Sequence, residues 1–567
     1  MRTAVYARIS ALGDRASLSG VGLSLGTLFF AASLTPSLVP RTDLMQGLLA
    51  GSSFAIGYGL GVSWRWLWNY LELPQPQARW RSMTNVATTV PCLVIAAWFL
   101  WRSADWQNSV RAAMGMEPVA GTHAVKVCLI SIAVFAALLG LARLFRLVAR
   151  WFSGRINAYV PRRVGNVVGV AAAAVLFWSL ANDVLIRTVF GLLDSSYREY
   201  NALIDPERPQ PTDPVETGSP ASLIGWGDLG RTGREFISQT PTAADINAVT
   251  GRPAMKPIRV YVGLPSGDGY ADRARLALEE LKRVGGFQRS RLIVVTPTGT
   301  GWIDPAAIEP IEYLSDGDVA SVAVQYSYLS SPLSLLAQPE YGADAAQALF
   351  REIYRYWTTL PKASRPKLYL HGLSLGAMNS EKSAQLFEIF SDPIDGALWS
   401  GPPFESRVWR NITAARNPGS PQWLPQFRDG SLVRFMNQEG PNGPSDRPWG
   451  PLRVVYLQYA SDPIVFFDYR DLYRRPDWMR EPIGPDVSQQ LRWYPVITML
   501  QLGLDMGFAT ATPMGYGHVY APEHYVDAWL AVADIRGWSA QSISALKGKL
   551  AVRARAETGD HGEERGG

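Results

Sequence analysis

The stretch Leu368-Tyr-Leu-His-Gly-Leu-Ser-Leu-Gly-Ala377 decides the fold of the C-terminal part of this chain. It contains one Gly-x-Ser-x-Gly pattern, with Gly372, Ser374 and Gly376 as the fixed positions. The β-favouring run before the pattern predicts a strand, and the polar and apolar residues after it predict a helix. A strand, a tight turn and a helix form the setting of a nucleophile elbow, in which a strained turn lifts the serine hydroxyl above the sheet. We therefore predict a nucleophile at Ser374 and a need for glycine on both sides, where a Cβ would collide with backbone.

The residues that would activate such a serine follow it in the expected order of acid and then histidine. The run from Arg453 to Tyr459 alternates like a buried strand, and Asp462 lies in the loop that ends it. His518 lies further on, in the glycine-rich loop Gly515-Tyr-Gly-His-Val-Tyr520. We predict that Ser374, Asp462 and His518 form a catalytic triad.

The chain offers few alternatives to these two partners. It has five histidines, which are His123, His371, His518, His524 and His561. His371 lies in the elbow strand, where packing beneath the turn is expected, and His524 is the second choice for the catalytic base. Asp468 is the second choice for the acid, with a charge on a helix surface as its simpler interpretation.

A loop rich in small residues leaves another predicted strand, at Thr296-Pro-Thr-Gly-Thr-Gly-Trp302. Small residues allow a backbone N–H to approach a ligand closely. We predict that the backbone of Thr298 or Gly299, together with the N–H of Leu375, forms an oxyanion hole. A plain turn is the alternative. A phosphate-binding loop is not favoured, because the motif lacks the Gly-Lys-Ser/Thr ending.

Strand-like and helix-like runs alternate from residue 257 onward, which predicts a catalytic domain over 257–550 built on a mainly parallel sheet with helices on both faces. An aromatic, irregular insertion at 402–450 predicts a lid over the site. The apolar helix that begins near Tyr494 is a second candidate cover, with core packing as its alternative. Residues 551–567 are polar and predict a disordered tail.

The N-terminal third has a different composition. The 567 residues carry a net charge of only +5, and their long uncharged runs lie almost entirely before residue 185. A helix needs about 20 apolar residues to cross a bilayer. Five such runs predict a multi-pass α-helical membrane domain over 16–183, followed by a linker with docking helices over 184–256. The runs are Ala16–Pro40, Leu44–Trp64, Ser82–Trp101, Val127–Ala142 and Val164–Asn182.

Arginines are concentrated before the first run, between the second and third, and between the fourth and fifth. The positive-inside rule then places the N-terminus in the cytoplasm and the C-terminal domain outside it, at the cell membrane. Because the arginine-rich loop lies between the fourth and fifth runs, we expect it to bind lipid headgroups and not nucleic acid. Both cysteines, Cys92 and Cys128, lie within runs, so the exported part has no thiol. We expect no metal and no cofactor, because no group of side chains has metal-ligand spacing.

Four motifs together resemble a known family. They are Ser33-Leu-Thr-Pro-Ser-Leu-Val-Pro-Arg41, Thr298-Gly-Thr-Gly-Trp302, His371-Gly-Leu-Ser-Leu-Gly376 and Gly515-Tyr-Gly-His-Val-Tyr520. The chain resembles the bacterial membrane-bound α/β-hydrolases that join a five-span N-terminal domain to a C-terminal α/β-hydrolase domain. The resemblance covers nearly the whole chain and implies a serine-hydrolase mechanism, with Ser374, Asp462 and His518 at the triad positions.

These observations predict a membrane-anchored serine hydrolase that acts on a hydrophobic ester, such as an acyl ester of a lipid or of the cell envelope. Membrane lipids are the expected partners. An acyltransferase using the same triad is one alternative. A lipid-handling or transport protein without catalysis is another, although the five runs contain no ionisable side chains of the kind that transport pathways use.

Overall fold

The computed structural model describes residues 19–74, 78–119, 123–182, 201–206, 208–329, 340–384, 391–441 and 447–564. The chain folds into two compact units. The N-terminal unit contains the residues up to Ile186 together with two later segments, Phe467–Met479 and Pro485–Phe508. The remaining residues form the second unit, here named the catalytic unit after the predicted role of Ser374, Asp462 and His518. Two segments of the predicted domain over 257–550 thus belong to the N-terminal unit. The predicted polar helix at 183–200 and the arginines before residue 19 lie outside the described residues.

The helices are numbered here in chain order. They are α1 (Gly20–Ser33), α2 (Asp43–Tyr70), α3 (Ala78–Ala113), α4 (His123–Ile156), α5 (Arg162–Ser179), α6 (Gly230–Ser238), α7 (Ala243–Thr250), α8 (Tyr270–Arg283), α9 (Pro305–Leu314), α10 (Tyr341–Thr359), α11 (Leu375–Ser383), α12 (Arg407–Ala414), α13 (Pro463–Phe466), α14 (Ile497–Gly507), α15 (Pro522–Val532) and α16 (Ala540–Glu564). The strands are β1 (Ile258–Val262), β2 (Arg291–Thr296), β3 (Val319–Val324), β4 (Lys367–Leu373), β5 (Gly396–Ser400), β6 (Val433–Asn437), β7 (Gly440–Pro441) and β8 (Arg453–Leu457).

The catalytic unit is built on a twisted sheet with the strand order β1-β3-β2-β4-β5-β8-β6-β7. All neighbouring strands are parallel except β7, which pairs antiparallel with β6. The central strands are short apolar runs that are buried along almost their whole length, as expected when helices cover both faces of a parallel sheet. The helices α8, α10 and α11 pack against one another, and so do the helices α9, α15 and α16.

The register of the sheet brings several strand ends to one edge. Thr296 pairs with Gly372 at the ends of β2 and β4. Leu373 pairs with Ser400, and Ser400 pairs with Leu457 at the end of β8. The residues that follow these strands are Pro297, Ser374, Gly401 and Gln458, so the predicted oxyanion loop, nucleophile and acid loop start side by side. Ligands of open α/β sheets bind at this edge.

The insertion at 402–450 is not a lid over its whole length. It contains α12 and β6, and β6 pairs with β8 as part of the sheet. Its aromatic side chains explain the difference, because Phe435 is fully buried and stacks on Tyr456 with the ring centroids 5.1 Å apart. Trp409 is also buried, and its indole nitrogen donates to the side chain of Gln458 at 2.7 Å.

The predicted tail over 551–567 begins inside a helix in this structure. The helix α16 runs from Ala540 to Glu564, past the predicted start of disorder at residue 551. Its first half packs on α15, with Leu546 and Leu550 buried, and this contact extends the helix into the polar sequence.

Membrane-type helices occur in the N-terminal unit. Among the described residues, two helical segments are long and apolar enough to cross a membrane, at His123–Ile156 and Arg162–Asn182. They correspond to the fourth and fifth predicted spans. The first predicted span contains only the 14 residues of α1, and its last residues, 34–40, leave the helix. That the first three runs also cross the membrane stays a prediction.

The helices α1 and α2 pack at very short range through glycines. A Cβ on Gly61 of α2 would lie 2.7 Å from the Cα of Gly22 in α1, and a Cβ on Gly57 would lie 3.0 Å from the Cα of Gly26. Each helix therefore presents two glycines spaced four residues apart. This spacing lets backbones approach closely and is typical of helix pairs in membranes.

A buried ion pair fixes the late segment of the chain inside the N-terminal unit. The guanidinium of Arg41 contacts the carboxylate of Asp505 in α14 at 2.9 Å, with side chains only 2% and 0% exposed. The backbone N–H of Leu38 and the hydroxyl of Ser37 donate to the other carboxylate oxygen. The side chain of Gln501, one turn earlier, donates to the carbonyl of Thr35 at 3.0 Å. The motif 33–41 thus forms the binding surface for α14.

We expect Asp505→Asn to destabilise the N-terminal unit by roughly 3–5 kcal/mol, because it leaves the charge of Arg41 buried without a partner. Thermal unfolding of the detergent-solubilised protein measures the loss. Asp105→Asn is the matched control: its pair with Arg102 is exposed, with side chains 60% and 38% accessible, and such pairs contribute at most about 1 kcal/mol. Equal melting temperatures for the two variants would contradict the importance of the Arg41–Asp505 pair.

Candidate active site

Ser374 lies in a sharp turn between β4 and α11. Its backbone has φ 56° and ψ −123°, a conformation that an L-residue adopts only when its surroundings enforce it. The two glycines of the motif make the turn possible. A Cβ on Gly372 would lie 2.4 Å from the carbonyl carbon of Gly376, and a Cβ on Gly376 would lie 2.2 Å from the carbonyl oxygen of Thr296. A strand, a tight turn and a helix are present as predicted, and the role of Ser374 as a nucleophile stays a prediction.

The acid and the histidine meet at the same edge of the sheet. The Nδ1 atom of His518 lies 2.7 Å from Oδ2 of Asp462, and Asp462 is completely buried. The N–H of Ile464 donates to the other carboxylate oxygen at 2.9 Å. The N–H of Gly517 donates to the hydroxyl of Ser461 at 2.9 Å, which joins the acid loop to the histidine loop. When Nδ1 carries a hydrogen and donates it to the carboxylate, Nε2 is the ring nitrogen that can accept a proton.

Tyr520 is a site residue that sequence reasoning missed. Its hydroxyl donates to Oδ2 of Asp462 at 2.8 Å, so this oxygen receives two hydrogen bonds. Burial raises the pKa of Tyr520 well above its ordinary value, and the negative charge of Asp462 raises it further. The phenol therefore stays a donor. The sequence feature that could have identified Tyr520 is its position two residues after His518, in the motif Gly515-Tyr-Gly-His-Val-Tyr520.

The serine and the histidine are linked through the end of β5. The N–H of Ser374 donates to the carbonyl of Ser400 at 2.9 Å. The next residue is Gly401, where a Cβ would lie only 2.8 Å from Cε1 of His518. Among the described residues, Nε2 of His518 is buried without a hydrogen-bond partner, so no bond joins it to the hydroxyl of Ser374 in this structure. Such bonds are often long in proteins without a bound substrate.

Comparison with known families agrees with this geometry. Residues 258–546, more than half of the 567-residue chain, match the model described as "Alpha/beta-hydrolase family", and residues 34–241 match "Alpha/beta-hydrolase family N-terminus". The chain belongs to the alpha/beta-hydrolase family. Comparison with curated proteins and with solved structures gave no match. Membership confirms the family resemblance and indicates a hydrolase-type enzyme, whereas bacterial origin and five spans stay predictions.

Two other histidines of this α/β-hydrolase, His524 and His371, have structural partners. Nδ1 of His524 lies 2.6 Å from the hydroxyl of Tyr459, and burial lowers the pKa of His524 to about 4. Nδ1 of His371 lies 2.9 Å from the carbonyl of Leu398, and burial lowers the pKa of His371 to about 4 as well. Both rings are therefore neutral at ordinary pH. Asp468 lies in the N-terminal unit, where it caps a short 3₁₀ turn and pairs with Arg470.

One of the predicted oxyanion-hole donors is already engaged. The N–H of Thr298 donates to the carbonyl of Trp302 at 3.0 Å, which closes the loop on itself. The N–H of Leu375 is at the first turn of α11, where helix geometry provides no backbone acceptor. Gly299 lies in the turn of the same loop, and its role stays a prediction.

Two side chains fix the loop after β2 by hydrogen bonds to its backbone carbonyls. The hydroxyl of Tyr261 donates to the carbonyl of Gly301 at 2.8 Å, and the amide of Gln325 donates to the carbonyl of Thr300 at 3.0 Å. Gly301 has φ 84°, and a Cβ there would lie 2.4 Å from the hydroxyl of Tyr261. The loop is thus a fixed wall of the site. No group of side chains that could hold a metal ion occurs in the described part of the chain.

We expect Gly376→Ala to destabilise the catalytic unit by about 1–3 kcal/mol, because the new methyl group would push against the backbone oxygen of Thr296. Thermal unfolding checks this. Gly548→Ala is the control, since its Cβ would meet nothing within 4 Å in α16 and should be neutral or stabilising by up to about 1 kcal/mol. An unchanged melting temperature for Gly376→Ala would show that the turn does not need glycine.

Proposed function

We propose that this α/β-hydrolase is a membrane-anchored serine hydrolase that cleaves esters through an acyl-enzyme. The observation that carries the proposal is the pairing of the buried Asp462 with Nδ1 of His518, beside a serine held in an elbow. A carboxylate in this position fixes the tautomer of the imidazole and stabilises its protonated form. The remaining nitrogen, Nε2, then serves as a general base.

The reaction follows from these positions. The Oγ of Ser374 attacks the carbonyl carbon of the ester while its proton passes to Nε2 of His518. The N–H of Leu375 donates to the oxyanion that forms on the former carbonyl oxygen. His518 returns the proton to the leaving alcohol as the C–O bond breaks, which leaves an ester on Ser374. Water then attacks this ester with the same proton transfers and releases the acid.

The attack on the acyl-enzyme also defines the reaction that is the closest alternative to hydrolysis. If an alcohol and not water attacks the acyl-enzyme, the same residues perform an acyl transfer. Both reactions use the same triad and the same intermediate. Hydrolysis is the simpler proposal, because it needs no second organic substrate.

Membrane anchoring is supported by the surface of the N-terminal unit. The long helix α4 exposes large apolar side chains over most of its length. They include Val125, Leu129, Ile132, Leu138, Leu141, Leu144 and Leu147. Apolar surface of this extent marks a site of membrane or protein contact. Together with α5 and the close glycine packing of α1 and α2, it favours a membrane domain, with five spans and an extracytoplasmic catalytic unit as the topology that the arginine pattern predicts.

We expect a fluorophosphonate probe to label the purified protein and Ser374→Ala to abolish the labelling, because the probe reacts with an activated serine hydroxyl. Fluorescence of the labelled band after electrophoresis measures this. The rate should fall on the order of 10⁴-fold or more for His518→Ala, whereas His524→Gln should stay within a few-fold of the unsubstituted protein.

Ser364→Ala provides a matched control for the nucleophile, since Ser364 is exposed in the same unit. It should label normally. Equal labelling of Ser374→Ala and the unsubstituted protein would exclude Ser374 as the nucleophile. Loss of labelling in His524→Gln, with retention in His518→Ala, would exchange the roles of the two histidines.

The substrate class that the anchoring favours is a hydrophobic acyl ester of a lipid or envelope component. We expect deletion of the gene to change the lipid profile of the cells and the unsubstituted protein to restore it. Ser374→Ala should fail to restore it. Comparative lipidomics of the three strains measures the outcome. An unchanged lipid profile with altered envelope peptides would contradict the lipid assignment, and restoration by Ser374→Ala would favour a lipid-handling role without catalysis.

A further inference from the structure

One oxygen of the triad acid accepts two hydrogen bonds, and the mechanism above uses only one of them. Nδ1 of His518 lies 2.7 Å from Oδ2 of Asp462, and the hydroxyl of Tyr520 donates to the same oxygen at 2.8 Å. All three residues are buried, so these two donors and not bulk water share the charge of this oxygen. The phenol therefore competes with the imidazole for the same carboxylate oxygen.

The position of the phenol is fixed by the groups around its ring. The ring of Tyr520 stacks on that of Tyr459, with the centroids 4.4 Å apart and 21° between the planes. It meets the ring of His518 edge to face, with the centroids 5.8 Å apart. A Cβ on Gly401 would lie 2.9 Å from the hydroxyl of Tyr520 and 2.8 Å from Cε1 of His518. The absence of a side chain at Gly401 thus leaves room for both rings beside Asp462.

Tyr459, on which the phenol stacks, is itself held by hydrogen bonds. Its hydroxyl accepts the N–H of Ala521 at 3.0 Å and lies 2.6 Å from Nδ1 of His524. Tyr459 lies just after β8, three residues before Asp462. The segment after β8 therefore supplies both the acid and the ring that supports Tyr520. This arrangement makes Tyr520 a constant donor to the acid.

A second donor on Oδ2 changes what the acid does for the histidine. A carboxylate stabilises a protonated imidazole through the negative charge on the oxygen that faces it. A hydroxyl that donates to this oxygen forms a charge-assisted hydrogen bond and stabilises the same charge. The pull of Asp462 on a protonated His518 is then weaker, and the imidazole loses its proton at a lower pH. The neutral imidazole is the form that accepts a proton from the serine.

We propose that Tyr520 is a positioning residue for the triad: its hydroxyl holds Oδ2 of Asp462 towards His518 and takes up part of the charge of this carboxylate. The imidazole is thereby oriented by the acid and yet stays neutral, ready to accept a proton. The proposal rests on the proposed function, since it assigns His518 the role of general base.

The other titratable groups around Tyr520 and His518 are Tyr459, Tyr525, His524 and Asp304. Burial lowers the pKa of His524 to about 4, so its ring stays neutral while His518 titrates. Burial raises the pKa of Asp304 to about 7. Its titration is common to all the variants below, so differences between them report on position 520.

The pH dependence of labelling by a fluorophosphonate tests the role of Tyr520 without knowledge of the substrate. The labelling rate rises with pH as His518 loses its proton. Tyr520→Phe removes only the hydroxyl, so the full charge of Asp462 acts on the protonated ring and holds its proton more tightly. The midpoint of the rise should move to higher pH by on the order of half a unit to one unit.

Replacement of Tyr520 by 3-fluorotyrosine, inserted at this position alone, changes the donor in the opposite direction. The fluorinated phenol is more acidic, and it donates a stronger hydrogen bond from nearly the same shape. The midpoint should therefore move to lower pH. Damage to the packing does not produce opposite shifts in the two variants, so the pair separates an electrostatic role from a merely structural one.

Tyr354→Phe is the matched control. Tyr354 is a buried tyrosine of α10 whose hydroxyl donates to an uncharged acceptor, the carbonyl of Asp392, at 2.7 Å. Its pH profile should superimpose on that of the unsubstituted protein. A uniform loss of rate in Tyr520→Phe, with the midpoint unmoved, would reduce Tyr520 to a packing residue and overturn the proposal.

Thermal unfolding shows whether each variant is folded. If Tyr520→Phe does not unfold cooperatively, the fluorotyrosine variant decides, and an unmoved midpoint there overturns the proposal. Absence of labelling in the unsubstituted protein would overturn the proposed function, and the role of Tyr520 with it. Normal labelling with an unmoved midpoint in both variants would overturn the role of Tyr520 alone.

Discussion

The backbone of Ser374 is held at a positive φ angle, and the rest of the site depends on this constraint. A residue in such a conformation costs on the order of 1–3 kcal/mol and persists only where its surroundings fix it. Here two backbone groups fix it: the carbonyl of Ser400 accepts the N–H of Ser374, and the carbonyl of Thr296 is packed against Gly376. Because those two residues are the last of β5 and β2, the parallel sheet itself maintains the turn. The same register places the acid loop after β8 at the same edge.

The electrostatics of the site follow from burial at that edge. Asp462 is fully buried, yet it receives hydrogen bonds from His518, Tyr520 and the N–H of Ile464, so its charge is well compensated. Asp304, the N-cap of α9, is also buried, and burial raises its pKa to about 7.

The parallel sheet, and the meeting of the loops that carry Ser374, Asp462 and His518 at one edge of it, could be predicted because they depend on local patterns: a glycine-flanked serine, β-branched strands, and polar residues just after strand ends. Other features depend on contacts between distant segments. Phe435 belongs to a strand because it stacks on Tyr456, and nothing near it in the sequence distinguishes a sheet strand from a lid. The hydrogen bond from Thr298 to Trp302 could not be predicted either, because only the folded loop brings the two residues together.

The position of α14 has a consequence for how this family can diversify. In chain order α14 lies between the acid and the histidine, yet it belongs to the N-terminal unit, where the motif 33–41 binds it through Arg41. A gene fusion that joined a foreign N-terminal domain to residues beyond 186 would leave Asp505 without its cation. The two units are therefore not interchangeable pieces of sequence: a chimaera of this chain keeps the buried pair only if its residues 33–41 supply a cation where Arg41 lies.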